Sequence, residues 1–251
     1  MSVPSQISRT YTLLAGESNA EGKMPVTLLA SRIIEIASVH ANALGIGYAA
    51  LIEKNVGWVL SRLSIEMRRY PVINEQYTVS TWIESYTRRF SERNFKIFAA
   101  DSGEVLGYAR SVWVPMNFAT RSLADLSVFD NSQIEPLGDL CEMDKVRRIE
   151  MPAVAEEEPY TFRYCDIDFN RHVNTVRYID VLLNHWPLEH YDKYSIRRID
   201  VFFHHESHFG QTATLRFAPD ATCTDRNLCE IVLPGDIRAI SAAITWQPAS
   251  D

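Results

Sequence analysis

A chain of 251 residues that is 46% hydrophobic can bury one large core or two of ordinary size. Its net charge of -7, from 25 basic against 32 acidic side chains, argues against a general nucleic-acid or membrane-surface binder, which is usually basic. Cys141, Cys165, Cys223 and Cys229 form no C-x-x-C pair, the N-terminus has no signal-like pattern, and no apolar stretch could span a bilayer. A cytoplasmic protein with reduced thiols and no membrane contact is therefore expected.

In chain order, residues 10–15 read as a first strand and 17–22 as a loop. Over 25–44, Val26, Leu29, Ile33, Ile36 and Ala37 recur at helical spacing, with Pro25 suited to a first turn and Gly45 to the stop, so the pattern predicts one long helix. From 58 to 70, Leu63, Ile65 and Met67 alternate with Arg62, Ser64, Glu66 and Arg68, the mark of a half-buried strand, and Pro71 closes it. β-rich runs follow at 76–87, 89–100 and 104–116, the last two joined by a turn at Asp101-Ser102-Gly103.

Between 117 and 160 periodicity is lost while Pro136, Gly138, Pro152 and the triplet Glu156 to Glu158 gather, which reads as a connection. The order of elements then repeats. A short strand is expected at 160–164, a helix from His172, and strands at 195–206, 211–218, 227–233 and 237–246, with a turn at Pro234-Gly235-Asp236. One helix followed by several strands, twice over, implies an α+β chain of two antiparallel sheets, each packing an amphipathic helix. The expected division is 1–135, a linker at 136–158, and 159–251.

The most informative stretch runs from Tyr164 to Pro187. Asp166, Asp168, Asn170 and His172 stand at spacing two, then Val173, Val176, Ile179, Leu183 and Trp186 recur at three or four until Pro187 ends the run. An acid, an amide and an imidazole thus converge where a helix is expected to start, a place that suits carbonyl chemistry because first-turn N–H groups favour developing negative charge. An ordinary N-cap and turn would read the same way. A calcium loop does not fit, since Arg171 stands at its position 6 and Arg177 at its position 12. His204, His205, Glu206 and His208 invite a zinc reading, but Phe209 breaks H-E-x-x-H, and His204, Glu206 and His208 on one strand face would lack a fourth ligand, so no metal site is expected. Cys165 reads as a bystander, and Ser207 has no G-x-S-x-G context.

Three stretches, W-V-L-S-R-L-S-I-E-M-R-R-Y-P at 58–71, D-S-G-E-V-L-G-Y-A-R-S-V-W-V-P-M-N at 101–117 and D-I-D-F-N-R-H-V-N-T-V-R-Y-I at 166–179, resemble the acyl-acyl carrier protein thioesterases of plants and bacteria. The resemblance covers nearly the whole chain. It implies a double hot-dog fold, each half wrapping an antiparallel sheet around a long helix, and hydrolysis of the thioester between a fatty acyl group and acyl carrier protein, with no metal or organic cofactor. The family's catalytic Asp, Asn and His fall on Asp168, Asn170 and His172, and its acid falls on Glu206; Ser207 stands where plant members commonly have cysteine. The first half reads E-S-N-A-E-G-K-M-P at the matching position, so it is expected to shape the acyl pocket, with Trp58, Phe95, Phe98 and Trp113 as lining candidates against ordinary core packing.

The chemistry leaves roles open at this point. Glu206 or His172 could activate water, Asn170 could orient it or donate to the oxyanion, and Asp168 could fix geometry or attack directly. Three functions compete: hydrolysis of acyl-acyl carrier protein, hydrolysis of acyl-coenzyme A, and non-hydrolytic binding of acyl chains. Arg68, Arg69, Arg88, Arg89, Arg93 and Lys96, with Arg197 and Arg198, are candidates for a basic face that docks an acidic carrier. Either a monomer or a homodimer is consistent with two halves in one chain.

Overall fold

A computed structural model of the chain describes residues 4–128, 134–146, 148–153 and 155–249. They fall into two compact units, 1–145 and 146–251. Unit 1 contains β1 (Gln6–Thr12), α1 (Val26–Ala43), α2 (Tyr48–Ile52), β2 (Val56–Met67), β3 (Gln76–Tyr86), β4 (Ser91–Ala99), β5 (Val105–Asn117) and the short β6 (Ser122–Leu123). Unit 2 contains β7 (Glu156–Thr161), α3 (Thr175–Leu183), α4 (Leu188–Tyr191), β8 (Tyr194–Phe203), β9 (Thr212–Asp220), β10 (Cys223–Leu233) and β11 (Ile237–Pro248).

The strand pairings of the two units follow one plan. In unit 1 the order is β1-β3-β4-β5-β2, in unit 2 it is β7-β9-β10-β11-β8, and every pairing named here is antiparallel. Each unit therefore runs edge strand, helix, far strand, then a three-strand meander that fills the space between. No described helix is long and apolar enough to cross a membrane.

Helix α1 has the expected apolar stripe. Val26, Leu29, Ala30, Ile33, Ile36, Ala37 and Ala41 are buried, and each of the larger ones removes enough apolar surface from water to contribute about 1.5–3 kcal/mol. Pro25 is the N-cap rather than a first-turn residue. The helix stops in a Schellman arrangement. Gly45, at φ +74°, donates to the Asn42 carbonyl at 3.1 Å and Ile46 donates to the Ala41 carbonyl at 3.0 Å, which closes two of the last open carbonyls.

Several expectations shift. The first strand lies at Gln6–Thr12, because its residues find ladder partners along β3 and Leu13 is instead buried in the core. The second helix is nine residues long, half of α1. It starts at Thr175 rather than His172, since the Asn174 side chain accepts from the Val176 N–H at 2.9 Å and fixes the cap there. Trp186 lies beyond its C-terminus and packs edge-on against Trp246 and Phe217 instead of continuing the helical stripe. Strand β7 begins at Glu156, inside the stretch read as linker, because Glu156–Thr161 pairs with β9.

The rest of that stretch is not all free connection. Arg110, on β5, donates to Glu84 at 2.6 Å and to Asp139 at 2.8 Å, and also to the Met143 and Cys141 carbonyls at 2.9 and 3.0 Å. Lys145 pairs with Glu84 as well. One nearly buried guanidinium straps residues 139–143 across the sheet. Arg110→Met should therefore cost about 3 kcal/mol in urea unfolding and hasten proteolysis at 139–145, with the added Glu84→Gln recovering part of the loss.

His40 supplies a second test. Burial first, then the neighbouring Arg93, hold its imidazole down at about 4, below its ordinary 6.5. The stability this neutral ring contributes is complete above pH 6.5 and is lost as the pH falls through 4, by up to about 3 kcal/mol. His40→Gln should flatten the pH dependence of unfolding between 6.5 and 4; an unchanged slope would place the titration elsewhere.

Candidate active site

The site is built in unit 2 from two loops. The first follows β7. A 3-10 turn at Tyr164–Asp166 buries the Asp166 carboxylate, which accepts from the Arg163 N–H at 2.7 Å and from the Tyr160 hydroxyl at 3.1 Å. Residues 167–173 then form a tight hairpin. Ile167 bridges Val173, Asp168 N–H donates to the His172 carbonyl at 2.8 Å, and the Asp168 Oδ1 accepts from the backbone N–H groups of Asn170 at 2.8 Å and His172 at 3.3 Å. Arg171 sits at φ +63°, the left-handed region that a non-glycine residue occupies at some cost and that the turn requires.

The second loop, 204–211, follows β8. It is pinned at both ends: Val173 donates to the Ser207 carbonyl at 2.8 Å, His172 bridges His208, and Gly210 donates to the Phe162 carbonyl at 2.9 Å. Thus the two loops are stitched backbone to backbone. The result brings His172 Nδ1 to 3.3 Å from Glu206 Oε2, with both side chains about one-third exposed. His208 lies toward the other carboxylate oxygen, its Nε2 3.9 Å from Glu206 Oε1 and its ring edge-on to His172 at 4.9 Å.

Of the four residues expected here, the structure joins His172 and Glu206 directly and ties Asp168 to both Asn170 and His172 through the backbone. Asn170 is exposed, and its carboxamide makes no hydrogen bond among the described residues. The helix N-terminus is three residues further on than expected, and Asn174 itself occupies the Val176 N–H. Ser207 is fully buried, and its hydroxyl lies against the Tyr178 phenol, whose pKa is raised by burial and partly offset by Ser207. A nucleophile at 207 has no access to solvent.

The zinc geometry considered from the sequence changes partners. Strand β8 ends at Phe203, so residues 204–208 do not alternate as a strand; His204 is within 3.0 Å of the Ser241 hydroxyl and His205 within 3.1 Å of the Arg238 carbonyl. The three that converge are His172, Glu206 and His208, with ligand atoms within 4.8 Å of one another. His208 is the residue the sequence reading left outside the site. A period of two sets it on the face of Glu206, but only the crossing of two loops places it beside His172.

In unit 1, Trp58 and Trp113 line one partly open cavity of about 50 Å³ beside α1. Phe95 and Phe98 do not: Phe95 is fully buried in the sheet packing, and Phe98, three residues on, falls on the opposite face. Of the basic residues considered for a docking face, Arg93 is buried, Arg68 pairs with Glu142, Arg69 with Glu75 and Glu104, Arg88 with Asp125, and Arg198 with Asp200, while Arg89 and Arg197 are exposed.

The chain matches two family models, the acyl-ACP thioesterase N-terminal domain over residues 4–129 and the acyl-ACP thioesterase C-terminal domain over 149–248. The palmitoyl-acyl carrier protein thioesterase of Gossypium hirsutum is 26% identical over 212 residues, 79% of this chain and 51% of that protein. Oleoyl-acyl carrier protein thioesterase 1 of Arabidopsis thaliana is 30% identical over 198 residues, 72% and 55% of the two. The chain spans about half the length of these curated relatives, both of which are named as chloroplastic. Among solved structures, an acyl-ACP thioesterase from Bacteroides thetaiotaomicron is 31% identical with a TM-score of 0.86, covering 97% of this chain and 98% of that one. The 12:0-ACP thioesterase of Umbellularia californica superposes at a TM-score of 0.84 over 97% of this chain and 94% of that one, and at 18% identity is a likeness in fold. With its two halves matched in order by the two domains of one family, the chain belongs to the acyl-ACP thioesterases.

Proposed function

We propose that the chain hydrolyses the thioester of a fatty acyl chain on acyl carrier protein, releasing the free acid, with its chemistry carried by unit 2. The observation that supports this most directly is the pairing of His172 Nδ1 with Glu206 Oε2 at 3.3 Å. A carboxylate on Nδ1 holds that nitrogen protonated and leaves Nε2 to take a proton from water. The water oxygen then attacks the thioester carbon, the carbonyl oxygen gains the negative charge, and the free Asn170 carboxamide offers a donor to it. When the C–S bond breaks, the imidazolium returns its proton to the departing thiolate.

Asp168 serves this scheme by position. Its Oδ1 already accepts two backbone N–H groups, so the carboxylate shapes the turn that presents Asn170 and His172. Direct attack would require giving those bonds up. The carrier is favoured over coenzyme A by the similarity to palmitoyl- and oleoyl-acyl carrier protein thioesterases. Four cysteines without a disulfide agree with a reducing, cytoplasmic setting.

Thiol release measured with matched carrier-protein and coenzyme A thioesters tests the reading. The carrier thioester should turn over faster, and Glu206→Gln and His172→Ala should each lower kcat by about 10²–10³ without unfolding the protein. A wild type that binds acyl chains yet releases no thiol would leave a binding protein instead. Asp168 has its own test. Asn at 168 can still accept both N–H groups, so Asp168→Asn should keep activity within about tenfold while Asp168→Ala loses about 10² or more; a dead Asp168→Asn would point to covalent attack.

A further inference from the structure

Among the described arginines, Arg93 stands apart. It is only 3% exposed, and it lines the unit 1 cavity together with apolar residues such as Ala41, Ile46, Trp58 and Trp113 and the serines Ser38 and Ser91. Its Nη1 donates to His40 Nδ1 at 2.8 Å and lies 3.4 Å from the Thr81 hydroxyl. Its Nε and Nη2 donate to nothing among the described residues, and no carboxylate is paired with it. Burial alone acts on the guanidinium and pushes its pKa down to about 9, whereas Arg69 and Arg216 are pushed up by the acids they hold.

An unpaired buried cation is costly, and an apolar pocket is a poor place for one unless something fills the pocket. Nε and Nη2 are the two nitrogens of the guanidinium's side edge, spaced to meet both oxygens of a carboxylate. The remaining walls are aliphatic and indole surface with two serines, Ser38 and Ser91. The Ser38 hydroxyl donates to the Ile34 carbonyl at 2.8 Å, and both indole N–H groups are already satisfied, by the Ile46 carbonyl at 2.8 Å and the Ser111 hydroxyl at 2.8 Å. The cavity therefore offers one charged contact, from Arg93, on mostly apolar walls. At about 50 Å³, where one water needs on the order of 10–15 Å³, it has room for a carboxylate and the first carbons of a chain that continues out of its open side.

We infer that this cavity binds the carboxylate end of an aliphatic chain, seated on the side edge of Arg93. Such an end has two sources: the free fatty acid that the proposed hydrolysis releases, or the distal carboxylate of an ω-carboxylated acyl group. For its ligand the inference rests on the hydrolase reading, but its test does not depend on turnover.

Calorimetric titration with octanoate and with 1-octanol, below their aggregation limits, compares wild type, Arg93→Met and Ala41→Leu. Wild type should bind octanoate at least about tenfold tighter than the alcohol, Arg93→Met should lose that preference, and Ala41→Leu, which fills the cavity, should weaken both ligands. Equal binding of the two ligands by wild type, or a preference that survives Arg93→Met, would overturn the site. Should Arg93→Met fail to fold, Ala41→Leu decides: an octanoate affinity unchanged by it overturns the site too. Thiol release then separates the sources. Octanoate inhibition relieved by Arg93→Met identifies the free acid, and selective slowing of an ω-carboxyoctanoyl thioester identifies the distal carboxylate. If no thioester releases thiol while octanoate still binds through Arg93, the hydrolase reading falls and the cavity remains.

Discussion

The backbone N–H groups of Asn170 and His172 lie in a turn too tight to pair them with each other's strand, and the Asp168 carboxylate accepts both. That one side chain closes the loop, allows Arg171 its left-handed φ, and sets His172 where its own backbone can bridge to His208. From there Val173 reaches the Ser207 carbonyl and Asn174 the Asp166 carbonyl, so the loop before α3 and the loop after β8 become one backbone-bonded body. The His172–Glu206 pair is a product of that stitching. A site held by main-chain bonds is preorganised without needing long side chains to be ordered when substrate arrives.

The two units share one strand plan and diverge at the place where each helix begins. In unit 1 the helix starts at Val26 behind Pro25, runs for 18 residues and ends in a glycine stop. In unit 2 the corresponding residues go into the hairpin at 167–173, the helix waits for Asn174 and lasts nine residues, and aromatic packing by His185 and Trp186 on Phe217 takes over its C-terminal end. A long amphipathic helix covers a sheet and leaves a cavity beside it. A short one leaves chain for a polar loop. The same topology thus yields an apolar cavity in one half and a polar cluster in the other.

Charge is handled in the same internal way. Glu84 answers Arg110, Glu230 sits buried between Arg216 and Arg238, and Asp200 answers Arg198. Where buried ions are paired and hydrogen-bonded, the desolvation cost is offset locally. Arg93 differs from these four arginines: it is a buried cation that no carboxylate answers among the described residues.

What the sequence determined by itself was everything that depends on near neighbours. The stripe of α1, the alternation of β2 and the turn at Gly103 are local periodicities and dihedral preferences, and they appear where expected within a few residues. Asp168, Asn170 and His172 were legible because they lie within five residues of one another. Glu206, 34 positions from His172, joined them through the family resemblance and not through any local pattern. Other partnerships were not legible: His208 comes beside that pair only when two loops cross, Phe98 leaves the side that Phe95 takes because a strand alternates, and Arg93 becomes a buried cation only once α1 and the sheet close over it. Burial and pairing are properties of surfaces brought together from distant parts of the chain, and no local pattern encodes which surface a side chain will meet.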